Sequence, residues 1–217
     1  MHDAGFDAPY VQKLAAYGAL LLEANKRFNL TGAKTPSDLV PHLLDSLSLL
    51  PYVHGRLVDV GSGGGLPAIP LAIATGRPVV MIESVAKKAA FLQAALAELE
   101  LSGDVLPIRA EIAGHDPSRR AAFDSGTARA VSTAPTVAEL LLPLLATGGR
   151  ALLQRGSPDQ RELEALTDAA LMLGGRFCEE HRQAGDRRLV ILEKIAATPP
   201  RFPRRTGVPE KRPLCLP

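Results

Sequence analysis

The apolar run Leu57-Val58-Asp59-Val60 breaks into Gly61-Ser62-Gly63-Gly64-Gly65 and reopens as Leu66-Pro67. Glycines at this spacing let the backbone turn tightly and let a ligand approach closer than a Cβ allows. Glu83 ends a second apolar run, 22 residues after Gly61. A carboxylate there accepts hydrogen bonds from a ribose diol. Ala110-Glu111 follows a third run and places a backbone amide and a second carboxylate beside a purine edge. Arg129 lies in the apolar segment Gly126–Val131, where an unpaired charge is costly. It is either half of an ion pair or a cation at the mouth of the site. Arg155 closes Leu153-Gln154-Arg155 in a similar position. Together these residues describe a nucleoside site with cationic neighbours.

The glycine spacing separates ligand classes. A dinucleotide loop takes G-x-G-x-x-G, but the third position here is Leu66. No Gly-Lys-Ser/Thr follows, which argues against a phosphate-binding P-loop. The pattern Asp59-x-Gly61-x-Gly63-x-Gly65 is the form that S-adenosylmethionine (AdoMet) methyltransferases carry. His42, Asp45 and Ser46 tempt a triad reading. All three fall on one short helical stretch and no nucleophile elbow is present, so a solvated or capping role is expected for them. Lys87 and Lys88 read as a solvated helix face with some scope for phosphate contact.

Elements must deliver these residues to one edge. Leu14, Tyr17, Leu21, Ala24 and Phe28 repeat at helical spacing, and Pro36-Ser37-Asp38 starts a second helix. Residues 1–54 are therefore expected to form a helical extension. Strands are expected at 57–61, 79–83, 104–109, 126–131 and 149–155, with helices at 67–75, 86–101, 136–146 and 158–173. That alternation predicts an α/β, Rossmann-like, mostly parallel sheet over residues 55–197. Segments 176–183 and 188–195 are separated too briefly for a crossover, so they predict a terminal antiparallel hairpin.

Composition narrows the class. Among 217 residues, 46% are hydrophobic and none is tryptophan, so aliphatic side chains must build the core. Two cysteines make no disulfide framework and no Cys/His cluster predicts a metal, which favours a cytoplasmic protein. No signal peptide and no span of about 20 apolar residues is read, so no membrane partner is expected. Nothing points to more than a monomer. Residues 198–217 hold six prolines, five basic side chains and one acid, in a chain whose net charge is +2. Such a tail is expected to serve as an RNA arm that truncation after Ala197 removes without loss of cofactor binding. The alternative is docking through Phe202, Val208 and Leu214.

These residues resemble the RsmG (GidB) family of bacterial 16S rRNA methyltransferases. The match runs through Asn29-Leu30-Thr31, His42-Leu43-Leu44-Asp45-Ser46 and Asp59–Pro70. It continues through Lys87-Lys88, Arg109-Ala110-Glu111, Ala128-Arg129-Ala130, Gly185–Val190 and the tail Phe202–Leu214. The resemblance implies a class I AdoMet-dependent fold and methyl transfer to N7 of guanosine 527 in the 530 loop of 16S rRNA. It implies AdoMet contacts at Gly61, Leu66, Ala110, Glu111 and Arg129, with Arg129 also positioning the reactants, and the glycine pattern and strand-end acid add Gly63, Gly65 and Glu83 to the expected cofactor contacts. RNA contacts are expected at Asn29, His42, Lys88, Arg155, Arg187, Arg204, Arg205, Lys211 and Arg212. The partner is then 16S rRNA or a small-subunit intermediate. Two departures stand out. Many relatives carry Ser where this chain has Ala128, and Leu-Lys-Gly where it has Gln154-Arg155-Gly156. Guanine N7 carries no proton, so direct in-line attack needs no general base. Positioning supplies the acceleration. Rival readings are a methyltransferase acting on another RNA, a protein or a small molecule, a nicotinamide dehydrogenase, and a non-enzymatic ribosome-assembly factor.

Overall fold

Strand β1 (Leu57–Val60) is buried at all four positions because it lies mid-sheet, between parallel partners β2 (Val79–Ile82) and β4 (Phe123–Arg129). A strand covered on both faces reads as a continuous apolar run, which is why 57–60 was legible. The computed structural model describes residues 8–183 and 185–216. Beyond β2 lies β3 (Gly103–Leu106), and beyond β4 lies β5 (Leu145–Gly156), both parallel to their neighbours. The last two strands, β6 (Gly175–Arg182) and β7 (Arg187–Lys194), form the antiparallel hairpin. β7 inserts next to β5, leaving β6 at the edge, so the order is β3-β2-β1-β4-β5-β7-β6.

Alternation along the strands divides the core. Val58, Val60, Leu153 and Leu192 face one layer, with α6 (Ala134–Leu141) and α7 (Gln160–Met172). Leu57, Met81, Leu152 and Ile191 face the other. That second layer contains α1 (Ala8–Asn25), α2 (Pro36–Leu47), α3 (Ala68–Thr75) and α4 (Ala86–Glu98). Helix α2 starts where the sequence places it. Thr35 Oγ1 accepts from Asp38 N at 3.2 Å, and the Asp38 carboxylate accepts from Thr35 N at 2.9 Å, a reciprocal cap.

Several bounds differ from the sequence reading. β4 begins at Phe123 rather than 126. Asp124 and Ser125 look like loop residues, but they accept hydrogen bonds from Arg56 N and His54 N and so belong to the sheet edge. Helix α6 stops at Leu141 because Pro143 offers no amide donor, and β5 runs back through Gly148-Gly149 to Leu145. A one-turn helix α5 (Ala110–Ala113) follows β3.

The largest correction concerns the tail, which is docked rather than an arm. Phe202 and Leu214 are buried in the α6–α7 layer. The Arg120 guanidinium donates to the carbonyls of Thr198, Pro199 and Phe202. Lys194, buried at the end of β7, donates to Leu142 O and Leu173 O and contacts the Thr198 hydroxyl. Burial, with Arg120 nearby, lowers its ammonium pKa to about 8. Arg204 is drawn inward: its Nη2 lies 2.6 Å from Oε2 of Glu139, a fully buried carboxylate. Arg205, Lys211 and Arg212 remain exposed on the same segment, whose single helical turn is α8 (Val208–Lys211).

Arg204→Ala leaves Glu139 buried and uncompensated, so it is expected to cost about 3 kcal/mol in urea denaturation. Arg205→Ala, on exposed backbone one residue away, is expected to stay within about 0.5 kcal/mol. Equal costs for the two substitutions would refute the docked ion pair.

Candidate functional site

A cleft opens at the carboxyl ends of β1, β2, β3 and β4. Its walls come from Val60 and Gly61, from Ile82 and Ser84, from Ile108 to Glu111, and from Val131, Ser132, Thr136 and Leu140. This is where ligands bind in open α/β sheets, beyond the strand ends. Apolar side chains such as Ile82, Ile108 and Val131 alternate there with polar ones such as Ser84, Glu111 and Thr136, which suits a flat heteroaromatic ring with a polar edge.

Gly61, Gly63 and Gly65 have φ of 70°, 54° and 92°. Each is left-handed for a different reason. A Cβ at Gly63 meets nothing closer than 3.8 Å, so backbone conformation alone demands glycine there. A Cβ at Gly61 would lie 2.7 Å from Val131 Cγ2, and one at Gly65 2.6 Å from Ile69 Cδ1. Gly61 therefore makes room for the cleft wall, whereas a side chain at Gly65 would point into the core, and Gly65 does not line the cleft. Leu66 likewise packs on the α1–α4 layer and does not line the cleft.

The amides of Gly61, Ser62, Gly63 and Gly65 are already committed. Gly61 N donates to Ile82 O at 2.8 Å and Gly65 N to Ser62 O at 2.6 Å. Gly63 N donates to Glu83 Oε2 at 2.8 Å, while Glu83 Oε1 accepts from Val85 N at 2.8 Å. Glu83 thus fastens the loop to the end of β2, a role the sequence did not reveal.

The helical extension fastens the same loop from behind. Tyr17 Oη donates to Gly64 O at 2.7 Å. Asn25 Oδ1 accepts from Leu30 N and Thr31 N, and the turn it fixes puts Leu30 against Gly64. Asn-Leu-Thr therefore supports the loop, with Asn29 itself exposed. Beneath the loop, Asp59 Oδ1 accepts from Thr127 Oγ1 at 2.6 Å across β1 and β4, and Oδ2 is buried without a hydrogen-bond partner among the described residues. Burial raises this carboxyl to about 7, with the Glu83 charge adding to the shift against the Ser62 and Thr127 hydrogen bonds.

Arg129 does not line this cleft. It opens into a neighbouring hollow lined also by Asp45, Gln154, Arg155 and Arg187, which shares Val131 and Ser132 with the cleft. Asp45 is buried rather than solvated, 3.3 Å from Arg129 Nη1 and 3.4 Å from Arg187 Nη1. Arg129 Nη2 lies 2.7 Å from His42 Nδ1. An arginine only donates, so this ring nitrogen accepts and the imidazole is neutral. Burial and the Arg129 and Arg187 charges lower the His42 pKa accordingly. Arg155 pairs with Glu162 at 2.6 Å, and Glu162 also accepts from Ala134 N. The hollow thus presents three guanidiniums against two carboxylates.

Ala110 and Glu111 do line the cleft, but Glu111 is buried with Oε1 accepting from Gly207 N at 2.8 Å. Lys87 lies over the Phe28 ring at 5.5 Å, and its neighbour Lys88 is half-exposed on α4, away from both cavities. Thr136, Pro209 and Glu210 are cleft residues that sequence reasoning missed.

The model of a family described as rRNA small subunit methyltransferase G matches residues 10–190. The chain is 44% identical to the Rubrobacter xylanophilus ribosomal RNA small subunit methyltransferase G, covering 90% of this chain and 81% of that protein. It is 41% identical to the Deinococcus radiodurans protein of the same name, covering 98% and 89%. Among solved structures, a T. thermophilus 16S rRNA methyltransferase in complex with AdoMet and guanosine superposes with a TM-score of 0.50 at 19% identity, over 71% of this chain and 40% of that one. A ribosomal protein L11 methylase from Lactobacillus delbrueckii subsp. bulgaricus gives 0.56 at 14% identity, over 76% and 81%. These two likenesses concern the fold.

Asp59 yields a pH signature. Its folded pKa lies above the usual carboxyl value, so between about pH 4 and 7 the folded state holds a proton that the unfolded state has lost. Its contribution therefore falls as pH rises through that window, by up to about 1.4 kcal/mol per pH unit. Asp59→Asn keeps the acceptor for Thr127 and removes the titration. Urea denaturation from pH 4.5 to 7 is expected to show a less negative slope of stability against pH for the variant. Parallel curves would disprove the buried, protonated Asp59.

Proposed function

This chain belongs to the rRNA small subunit methyltransferase G family, and from that premise we propose that it transfers the methyl group of AdoMet to N7 of guanosine 527 in 16S rRNA. The family match over residues 10–190 carries the reading. The cleft supports it. Its apolar residues Ile82, Ile108 and Val131 suit a purine, and Glu111 and Glu210 place carboxylates along it. The residues present therefore fit AdoMet, with Gly61, Ile82, Ile108 and Ala110 framing the nucleoside.

AdoMet supplies a methyl carbon made electrophilic by its bond to a sulfonium sulfur. This chain's residues orient and shield. Guanine N7 offers a lone pair and no proton, so neither Glu111 nor His42 is needed as a base. The hollow beside the cleft supplies the second half of the geometry. Arg129, Arg155 and Arg187 set a positive rim around it, and its wall at Val131 and Ser132 is also a wall of the cleft. A splayed loop base entering there meets the cleft through that shared wall, which is how single-stranded RNA is usually read. The buried Asp45 holds Arg129 and Arg187 at fixed spacing, so the rim is preorganised rather than assembled on binding.

The direct test is methylation of small subunits and of naked 16S rRNA from cells lacking the modification, with the modified base located by chemical cleavage at 7-methylguanosine. One methyl group at the stated guanosine is expected. Incorporation elsewhere, or into protein alone, would overturn the assignment.

Arg187→Ala leaves Asp45 paired with Arg129, so the fold is expected to persist. RNA affinity should fall, and the slope of log K against log salt should flatten by about one phosphate's worth, while AdoMet affinity holds. An unchanged salt slope in filter binding would remove Arg187 from the RNA surface.

A further inference from the structure

We propose that the C-terminal segment around residues 207–210 is a wall of the cofactor site, and that Gly207 positions Glu111 there. The proposal rests on the reading of the cleft as the AdoMet site. Pro209 and Glu210 line that cleft together with Gly61 and Ile82, although they lie far along the chain from the glycine loop. Residues 207, 209 and 210 each contact a cleft residue elsewhere in the chain. Gly207 N donates to Glu111 Oε1 at 2.8 Å. Thr136 Oγ1 donates to Pro209 O at 2.9 Å. Arg109 Nη2 lies 3.5 Å from Glu210 Oε2 and 3.4 Å from Glu111 Oε1. Arg109, Glu111 and Thr136 therefore serve as floor of the cleft and as seat of the tail at once.

Two consequences follow from that sharing. The Glu111 carboxylate is buried, and one of its oxygens is occupied by the tail amide and by Arg109, so its orientation toward a ligand is set by the tail. Arg109 Nε is buried and without a hydrogen-bond partner among the described residues, a donor left over beside the cleft. The segment is held from outside by Arg204 on Glu139 and by the buried side chains Phe202 and Leu214, so the wall stands before a ligand arrives. Gly207 has φ 78° with nothing within 4 Å of a would-be Cβ, so glycine there serves the turn into the cleft and not close packing.

Ligand binding and tail seating must then be linked, because whatever binds only the seated state stabilises it. The test uses the full-length chain. In the double variant Pro209→Gly/Glu210→Ala, AdoMet affinity by titration calorimetry is expected to weaken roughly fivefold or more. The melting temperature without ligand is expected to change little, since Arg204, Phe202 and Leu214 stay in place. In the wild type, AdoMet is expected to slow tryptic cleavage after Arg205 and Lys211, saturating at the calorimetric Kd. Unchanged affinity in the double variant, or cleavage indifferent to AdoMet, overturns the proposal. A wild-type protein that binds no AdoMet overturns the reading of the cleft itself, and the proposal with it.

Discussion

The loop leaving β1 passes through left-handed conformations at residues 61, 63 and 65, and the rest of the site exists to hold it there. Such a path has little intrinsic preference for one geometry, because glycine gives up much conformational freedom on ordering. The fold answers with contacts from three sides. The Glu83 carboxylate ties Gly63 to β2, the Tyr17 hydroxyl ties Gly64 to α1, and Ile82 O receives Gly61 N. Because these partners take the Gly61 and Gly63 amides and the Gly64 carbonyl, those positions act on a ligand mainly by shape. The loop withdraws so that Val131 can stand beside Gly61 and leaves open space beside Gly63.

This explains why the helical extension is not an accessory. Tyr17 and Leu21 are fully buried, and both reach the loop. Asn25 shapes the turn that delivers Leu30 to Gly64, so a motif with the look of a binding signature is a structural strut. The same extension supplies Asp45 and His42 to Arg129, so one pair of helices supports both the nucleoside cleft and the hollow beside it.

The layered α/β fold was legible in the sequence because buried parallel strands are written as short apolar runs between helical periods. The terminal hairpin was legible because its link is too short for a crossover. The cleft was legible where it rests on local features, as at Gly61, Ala110 and Glu111. The cations were harder to place. Arg155 and Arg204 looked available, and Arg129 read as either half of an ion pair or a cation at the mouth of the site, yet each meets a carboxylate: Glu162, Glu139 and Asp45. Two of those acids are remote in sequence, and no periodicity announces a pairing across such a distance. Glu139 in particular sits in an apolar helix where its burial is unmarked until the tail folds over it. Likewise, proline content and net charge favoured a free arm, while apolar side chains spaced along it carried the opposite message, and two of them, Phe202 and Leu214, are buried.

Ala130 shows where the two cavities are made to meet. It is not glycine, yet it has φ 51°, a conformation that costs an L-residue about 1–2 kcal/mol. It lies immediately after β4, between Arg129, which faces the hollow, and Val131, which walls both cavities. An extended path here would carry Val131 away from Gly61. The left-handed turn instead sends Arg129 toward α2 and keeps Val131 beside the glycine loop. The ion pair of Arg129 with Asp45 and the packing around Val131 offset the local strain. Backbone strain of this kind persists where surrounding contacts over-determine it, and here those contacts are the ones that set nucleoside cleft and cationic hollow side by side.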